Sequence, residues 1–338
     1  MSMITTAEIE ALHRDSIVID THCDAIGAVI AGQRRLGERS ELGQFDLPRA
    51  LEGGLTAEFL AIFFGPKNPG CGTKQMLRYV DAFHQEAEAF SDMAIPAATA
   101  VDIRRAKAEG KVALVLTMEG AEALEGDLAS LRVCHRLGLR FLGITWNRRN
   151  EAADGVGEDR TGGGLSRFGV QLVEECNRLG IVLDLAHLAP AGVRDVLELS
   201  QAPVVVTHGN CHALWPQDRQ VPWPHRRNLT DDQLVAIANN GGVVGVTAVP
   251  AFLGEDEKHG QLSAMLDHVD HMVKVMGEDH VGIGMDFDGV RDARVAGMED
   301  ASKLPNFTRG LAERGYPPKT IRKILGENFL RVFEHVCG

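Results

Sequence analysis

The chain has 338 residues, of which 44% are hydrophobic and 5% aromatic, and its net charge is −12. This acidic balance argues against a nucleic-acid partner, because phosphate binding needs clustered lysine and arginine. The six cysteines form no C-x-x-C pair, which is typical of buried thiols in a reducing compartment. The sequence shows no secretory signal and no apolar run that could span a bilayer, so we expect a cytoplasmic protein without a membrane partner.

Apolar, β-branched runs alternate with segments of helical spacing along the whole chain. The predicted strands are Ile17–Thr21, Ala57–Phe64, Val112–Met118, Arg140–Thr145, Ile181–Ala186, Val204–Thr207, Val243–Ala248 and Val281–Met285. The predicted helices between them are Met76–Ala89, Leu128–Leu137, Phe168–Leu179, Gln233–Asn239 and Leu262–Met276. Eight alternations predict a single α/β domain over residues 1–338, folded as a (β/α)8 TIM-like barrel with extra helices. A doubly wound parallel sheet is the alternative.

The first predicted strand ends in a potential metal-binding pair. His22 and Asp24 are two positions apart, so on extended backbone both side chains point to the same face. A neutral imidazole and a carboxylate in this arrangement can bind one cation such as Zn²⁺. The C-terminal strand ends are also where barrel enzymes place their catalytic residues.

Four other predicted strands end in acidic or imidazole side chains. These residues are Glu119, Asp184, His187, His208, Asp286 and Asp288. One histidine at a strand end is more often a hydrogen-bonded structural residue, but a barrel brings all these ends to one mouth. The joint pattern therefore indicates a metal site. Two zinc ions about 3.5 Å apart would need a bridging carboxylate, and Glu119 is the candidate for it.

Six segments along the chain carry a resemblance to a known family. They are VIDTHCD, TMEGAEAL, LDLAHL, VVVTHGN, RRNLTDDQL and HVGIGMDFDGV, in that order between Val18 and Val290. Together they resemble the membrane dipeptidase (renal dipeptidase) family of amidohydrolase-like metal-dependent hydrolases. GENFLRVF, Gly326–Phe333, is similar to the terminal helix of that family. The resemblance implies a dipeptidase with two zinc ions per chain, a dipeptide substrate and a homodimer.

The resemblance also implies which residues form the metal centre. In the family pattern, His22 and Asp24 bind one zinc ion, and Glu119 bridges both ions. His187 and His208 then bind the second ion. A hydroxide between the two ions is expected to attack the scissile carbonyl.

Two further roles follow from the same resemblance. Asp286 matches the acid/base of the family, whereas we expect Asp288 to be structural because the turn at Gly289 re-aims it. Arg227 matches the residue that binds the substrate carboxylate, since a guanidinium suits a free carboxylate. Its neighbours His225 and Arg226 complete a basic cluster, any member of which could instead be solvated.

The sequence departs from the family pattern in two places. Many members read T-H-N after the fourth strand, where this chain has Thr145-Trp146-Asn147, so a histidine contact is lost or replaced by Trp146. An aromatic side chain here is either a substrate contact or part of the core. Residues 209–226 form a longer segment than expected. Both departures leave the substrate open, including a D-residue at its C-terminal position.

Two alternative functions stay open at this point. The first is another amidohydrolase-type hydrolase that acts on an N-acyl amino acid, a lactone or a phosphotriester; a lactone or a phosphotriester would need no carboxylate-binding arginine. The second is a barrel that binds metal without catalysis.

Overall fold

The computed structural model describes residues 5–63, 72–216, 227–254, 258–290 and 292–338. Its helices are α1 (Thr6–Asp15), α2 (Ala25–Ile30), α3 (Leu47–Glu52), α4 (Gly72–Ala89), α5 (Ala100–Glu109), α6 (Leu128–Arg136), α7 (Arg167–Leu179), α8 (Pro190–Leu199), α9 (Asp231–Asn239), α10 (Leu262–Met276), α11 (Leu304–Glu313), α12 (Pro318–Arg322) and α13 (Asn328–Cys337). Its strands are β1 (Ile19–Cys23), β2 (Ala57–Phe63), β3 (Ala94–Ala97), β4 (Val112–Glu119), β5 (Leu139–Gly143), β6 (Val182–Asp184), β7 (Val205–Gly209), β8 (Val243–Val246), β9 (His259–Gln261), β10 (Val281–Ile283) and β11 (Arg294–Ala296). Phe64, Cys71, Trp223, His225 and Arg226 lie outside the described residues.

Eight parallel strands close into a barrel in the order β1-β2-β4-β5-β6-β7-β8-β10. The ring closes where β10 pairs with β1, at Asp20 and Ile283. The predicted (β/α)8 barrel is confirmed, and the doubly wound alternative is wrong because β2 pairs with β4 as well as with β1. Each of the eight predicted strands overlaps one strand of the barrel.

Three short strands were not predicted from the sequence. Strand β3 lies along the first half of β4, from Ala94 opposite Val112, while β5 pairs with the second half from Leu116. Strands β9 and β11 form a separate pair outside the barrel. Segments of three or four residues are too short to show an alternating pattern.

Side chains of β4 alternate between the two faces of the barrel wall. Leu114 and Leu116 belong to the core shared with the surrounding helices, whereas Ala113 and Val115 belong to the core inside the barrel. Glu119 continues the inward series at the end of the strand, because successive side chains on a strand point to opposite faces. The strand therefore delivers a carboxylate to the inside of the mouth.

Aromatic side chains fill the opposite end of the barrel. Phe59 of β2 and Phe141 of β5 have ring centroids 4.6 Å apart, and Phe333 of α13 lies 5.5 Å from Phe141. The last helix thus packs against the N-terminal end of the barrel, and the polar side chains gather at the C-terminal end. Within the described part of the chain, no helix is both long and apolar enough to cross a bilayer.

Candidate active site

The five predicted metal ligands lie together at the C-terminal mouth of the barrel. His22 Nε2 is 3.6 Å from Asp24 Oδ2 and 3.8 Å from Glu119 Oε2. On the other side, Glu119 Oε1 is 2.9 Å from His187 Nε2 and 3.5 Å from His208 Nε2. Glu119 therefore stands between two groups of potential ligands and turns one oxygen towards each.

The atoms of this cluster fit the donor set of a divalent cation. His22, Asp24 and Glu119 place three ligand atoms within 4.8 Å of one another, and so do Glu119, His187 and His208. Among the described residues, His22 Nε2 and Asp24 Oδ1 are buried without a hydrogen-bond partner. A buried polar atom without a partner is costly, and a bound cation would supply the partner.

Hydrogen bonds at Nδ1 leave Nε2 of both His187 and His208 available to bind a metal ion. The Asn147 amide oxygen accepts a hydrogen bond from His187 Nδ1 at 2.8 Å. His208 Nδ1 lies 2.9 Å from the Thr207 hydroxyl, which donates to Asp184 at 2.6 Å. Each Nδ1 atom therefore carries the ring proton, and each Nε2 atom has a free lone pair.

Burial and nearby charges determine the protonation of these rings. Burial lowers the pKa of His187 and His208 well below the usual range, and the charges of His22 and Arg227 add to the effect. Both rings are therefore neutral, as metal ligation requires.

The other half of the cluster attracts positive charge. Burial alone would lower the pKa of His22, but Glu119 and other nearby carboxylates raise it to about 10. Burial also raises the pKa of Glu119 well above its usual range, against the attraction of His22. Such a concentration of buried carboxylates favours a cation at this point, whether a proton or a metal ion.

Asp286 and Asp288 point in different directions. Asp286 Oδ1 lies 3.9 Å from His22 Nε2, and burial raises the pKa of this carboxyl to about 7. Asp288 instead forms a buried ion pair with Arg34 and accepts a hydrogen bond from the main-chain N–H of Gln44. The structure thus brings Asp286, and not Asp288, to the potential ligands.

Unusual backbone conformation marks this mouth. His187, Asp286 and Asp288 have φ values of 65°, 62° and 68°, in the left-handed region that favours glycine. Each such residue costs roughly 1–3 kcal/mol, which the surrounding contacts must offset. At His187, the carbonyl oxygen accepts hydrogen bonds from Val156 N–H at 2.9 Å and from the Thr145 hydroxyl at 3.2 Å.

Arg227 is buried beside the second group of potential ligands. Its Nη2 donates to the His208 carbonyl oxygen at 2.5 Å, and its guanidinium lies 5.6 Å from the centroid of the Phe252 ring. Its Nε has no hydrogen-bond partner in the described parts of the chain. A buried cation with an unused donor at the mouth is suited to an anionic group of a ligand.

Trp146 is half-buried and lines the mouth. Its ring lies 6.1 Å from that of His187 and 5.5 Å from that of Phe63, so it stands beside one of the predicted metal ligands. A cavity of about 590 Å³ opens next to Asp24, with Phe63, Tyr79 and Arg34 in its wall.

Several residues of the mouth were not assigned a role from the sequence. Asn147 and Thr207 accept hydrogen bonds from the rings of His187 and His208, and the only signal in the sequence was their position next to Trp146 and His208. Tyr79 lies on α4, far along the chain from any ligand, and only the fold brings it to the cavity.

The chain is similar to a known family over almost its whole length. Residues 6–337 match the family described as membrane dipeptidase, peptidase family M19. The dipeptidase aclJ of Aspergillus oryzae is 32% identical over 309 residues, which cover 87% of this chain and 71% of the relative.

Solved structures show the same similarity. A metallo peptidase from Rhodobacter sphaeroides, liganded with a phosphinate mimic of the dipeptide L-Ala-D-Ala, is 34% identical with a TM-score of 0.85, and the alignment covers 95% of this chain and 100% of that one. The probable dipeptidase PvdM from Pseudomonas aeruginosa is 27% identical with a TM-score of 0.87, over 98% of both chains.

Proposed function

Since the chain belongs to the membrane dipeptidase family and is a metal-dependent hydrolase, we propose that it cleaves dipeptides with a free carboxylate at a centre of two zinc ions. The ligands would be His22, Asp24, Glu119, His187 and His208. The observation that carries the proposal is the position of Glu119, whose two oxygens face two separate ligand groups.

The proposed chemistry needs one proton carrier from the chain. When bound, a pair of zinc ions supplies Lewis acidity to the scissile carbonyl and activates water for attack. Asp286 is next to His22, and a carboxyl with a pKa near 7 can both accept and donate a proton at neutral pH. We propose that Asp286 accepts a proton from the attacking water. Asp286 then donates this proton to the amine nitrogen as the C–N bond breaks.

Arg227 is assigned to the carboxylate of the substrate. Its Nε, which has no hydrogen-bond partner among the residues that the structure describes, lies in a site where burial strengthens a hydrogen bond to an anion. This feature favours dipeptides over lactones or phosphotriesters, which have no carboxylate to bind. The solved relative from Rhodobacter sphaeroides is liganded with a mimic of L-Ala-D-Ala, which supports including D-residues at the second position.

Trp146 and the neighbouring cavity are assigned to recognition of the rest of the substrate. The indole ring stands beside His187, and the cavity of about 590 Å³ beside Asp24 has room for a side chain. The cytoplasmic location and the homodimer stay predictions from the sequence and the family resemblance.

A dipeptide panel tests the proposed function. Zinc-loaded protein is assayed on dipeptides with L- or D-residues at the second position and on the corresponding dipeptide amides. We expect hydrolysis of the free dipeptides and slower hydrolysis of the amides. Zinc-loaded protein that cleaves N-acyl amino acids or lactones but no dipeptide would contradict the proposal.

A further inference from the structure

A buried chain of hydrogen bonds ends on the ring of His208. The Thr207 hydroxyl lies 2.9 Å from His208 Nδ1 and donates to Asp184 Oδ2 at 2.6 Å. Asp184 Oδ1 accepts the main-chain N–H groups of Thr207 and Ala186, both at 2.9 Å. Asp184, Thr207 and His208 are 5%, 2% and 1% exposed, so water does not compete for these bonds.

The direction of each hydrogen bond follows from the chemistry of the groups. A carboxylate only accepts, so the single proton of the Thr207 hydroxyl goes to Asp184. The hydroxyl oxygen must then accept the hydrogen bond from His208, which places the ring proton on Nδ1. The Nε2 atom keeps its lone pair and faces Glu119 Oε1 at 3.5 Å.

We propose that Asp184 and Thr207 are positioning residues that hold His208 in its metal-binding tautomer. This inference rests on the proposed role of His208 as a ligand. Neither residue is one of the proposed metal ligands; both would act through the imidazole ring of His208. This relay, the hydrogen-bonded series Asp184, Thr207 and His208, joins the ends of β6 and β7. The strand pair that carries His208 therefore also determines where its ring proton lies.

The two later histidines are held in different ways. The Nδ1–H of His187 donates directly to the neutral amide of Asn147. The Nδ1–H of His208 donates to a hydroxyl that is itself bound to a carboxylate, which makes the hydroxyl a stronger acceptor and the ring a more basic ligand. Loss of the relay should therefore weaken only the ligand group that contains His208.

The Asp184→Asn variant should reverse the relay without changing its shape. The asparagine Oδ1 can still accept the two main-chain N–H groups, which leaves Nδ2 to face Thr207. Because Nδ2 donates, the Thr207 hydroxyl must turn and donate to His208 Nδ1. The ring proton then moves to Nε2, and the lone pair for the metal is lost.

Two variants of Thr207 separate the hydroxyl from its packing. Thr207→Val removes the acceptor of the ring proton, whereas Thr207→Ser keeps it. Thr247→Val is a matched control, because Thr247 is also buried at a strand end and its hydroxyl donates to a carbonyl, that of Met285 at 3.3 Å. Among the described residues, that hydroxyl makes no hydrogen bond to a histidine ring.

The experiment is a titration of metal-free protein with Zn²⁺ in competition with a chelator, repeated with Co²⁺ to follow its absorption bands. We expect Asp184→Asn and Thr207→Val to weaken one of two metal equivalents by roughly 10–100-fold, the usual effect of an outer-shell partner. Thr207→Ser and Thr247→Val should bind like the unchanged protein. Equal losses in Thr207→Ser and Thr207→Val, or in Thr247→Val, would show a packing effect and overturn the relay.

A second measurement does not depend on metal. Nitrogen-15 shifts of the His208 ring in metal-free protein report which nitrogen carries the proton. We expect the proton on Nδ1 in the unchanged protein and on Nε2 in Asp184→Asn. A proton on Nε2 in the unchanged protein, or no change in the variant, would overturn the inference. A protein with the expected tautomer that takes up no zinc would instead contradict the proposed function alone.

Discussion

The Nε2 atoms of His187 and His208 face each other at 3.0 Å, and the Nδ1 atom of each ring is held by another hydrogen-bond partner. Two free lone pairs at this distance repel each other unless a cation lies close to both. The carboxylate of Glu119 adds negative charge at the same point. Because two lone pairs and a carboxylate meet at this point, the metal content of the protein is the first property to measure.

Zinc-replete protein should contain about two equivalents of zinc per chain, because five ligands with a shared carboxylate exceed the need of one tetrahedral ion. Removing the metal with a chelator should lower Tm, since a ligand present at 100 times its Kd stabilises the fold by about 2.7 kcal/mol. Metal analysis and thermal unfolding measure the two effects. One equivalent or none in zinc-replete protein would refute the two-ion centre.

Asp286→Asn should retain the metals and lower kcat by about 10²-fold or more, because an amide cannot carry the proton. Asp288→Asn is the control: it removes the charge that pairs with Arg34, so it should lower Tm while kcat changes less. Steady-state kinetics and metal analysis distinguish the two variants. Loss of metal from Asp286→Asn would make Asp286 a ligand, and an unchanged kcat would exclude it from the mechanism.

Arg227→Lys should weaken kcat/KM for free dipeptides more than for dipeptide amides. A lysine cannot reproduce the hydrogen-bond geometry of a guanidinium, and amides lack the charge that it recognises. The difference should be about 1.5–3 kcal/mol, the usual contribution of a hydrogen bond to a charged group. Arg226→Lys is the control in the same segment. A selective loss in that variant instead would move the carboxylate site from Arg227 to Arg226.

Stability should fall in acid because of His268 on α10. Burial lowers its pKa from 6.5 to about 4, and its Nδ1 accepts the main-chain N–H of Cys211 at 3.0 Å. At pH values between these two pKa values, His268 is protonated in the unfolded chain but neutral in the folded chain. The neutral His268 ring therefore makes its full contribution to the free energy of unfolding above pH 6.5. This contribution is progressively lost as the pH falls towards 4.

Chemical unfolding of His268→Gln at several pH values checks this expectation. The free energy of unfolding should depend less on pH in this variant than in the unchanged protein, whereas His84→Gln, at an exposed position, should keep the original dependence. The same slope in all three proteins would show that His268 does not contribute to acid sensitivity.

Much of the fold was predictable because parallel barrel strands are buried on both faces. Runs such as Val112–Met118 and Val243–Ala248 stand out as apolar segments, and each overlaps a barrel strand. Strand β3 was missed because four residues carry no readable period and Pro96 lies within it. Five helix positions followed from amphipathic spacing, as at Leu262–Met276, which coincides with α10, whereas helices such as α5 and α8 were not predicted.

The sequence by itself determined the barrel and the acidic and imidazole side chains at its strand ends, because strand ends are local features and a parallel barrel brings all of them together. Only the tertiary structure decided which atoms meet. The left-handed backbone at Asp286 and Asp288 turned one carboxylate to His22 and the other to Arg34. Hydrogen bonds donated by the Nδ1–H groups of the two histidines to Asn147 and Thr207 left Nε2 free on each ring. The direction of each carboxylate and the position of each ring proton depend on groups distant in the chain and on single torsion angles. Residue types and their spacing do not reveal either of these.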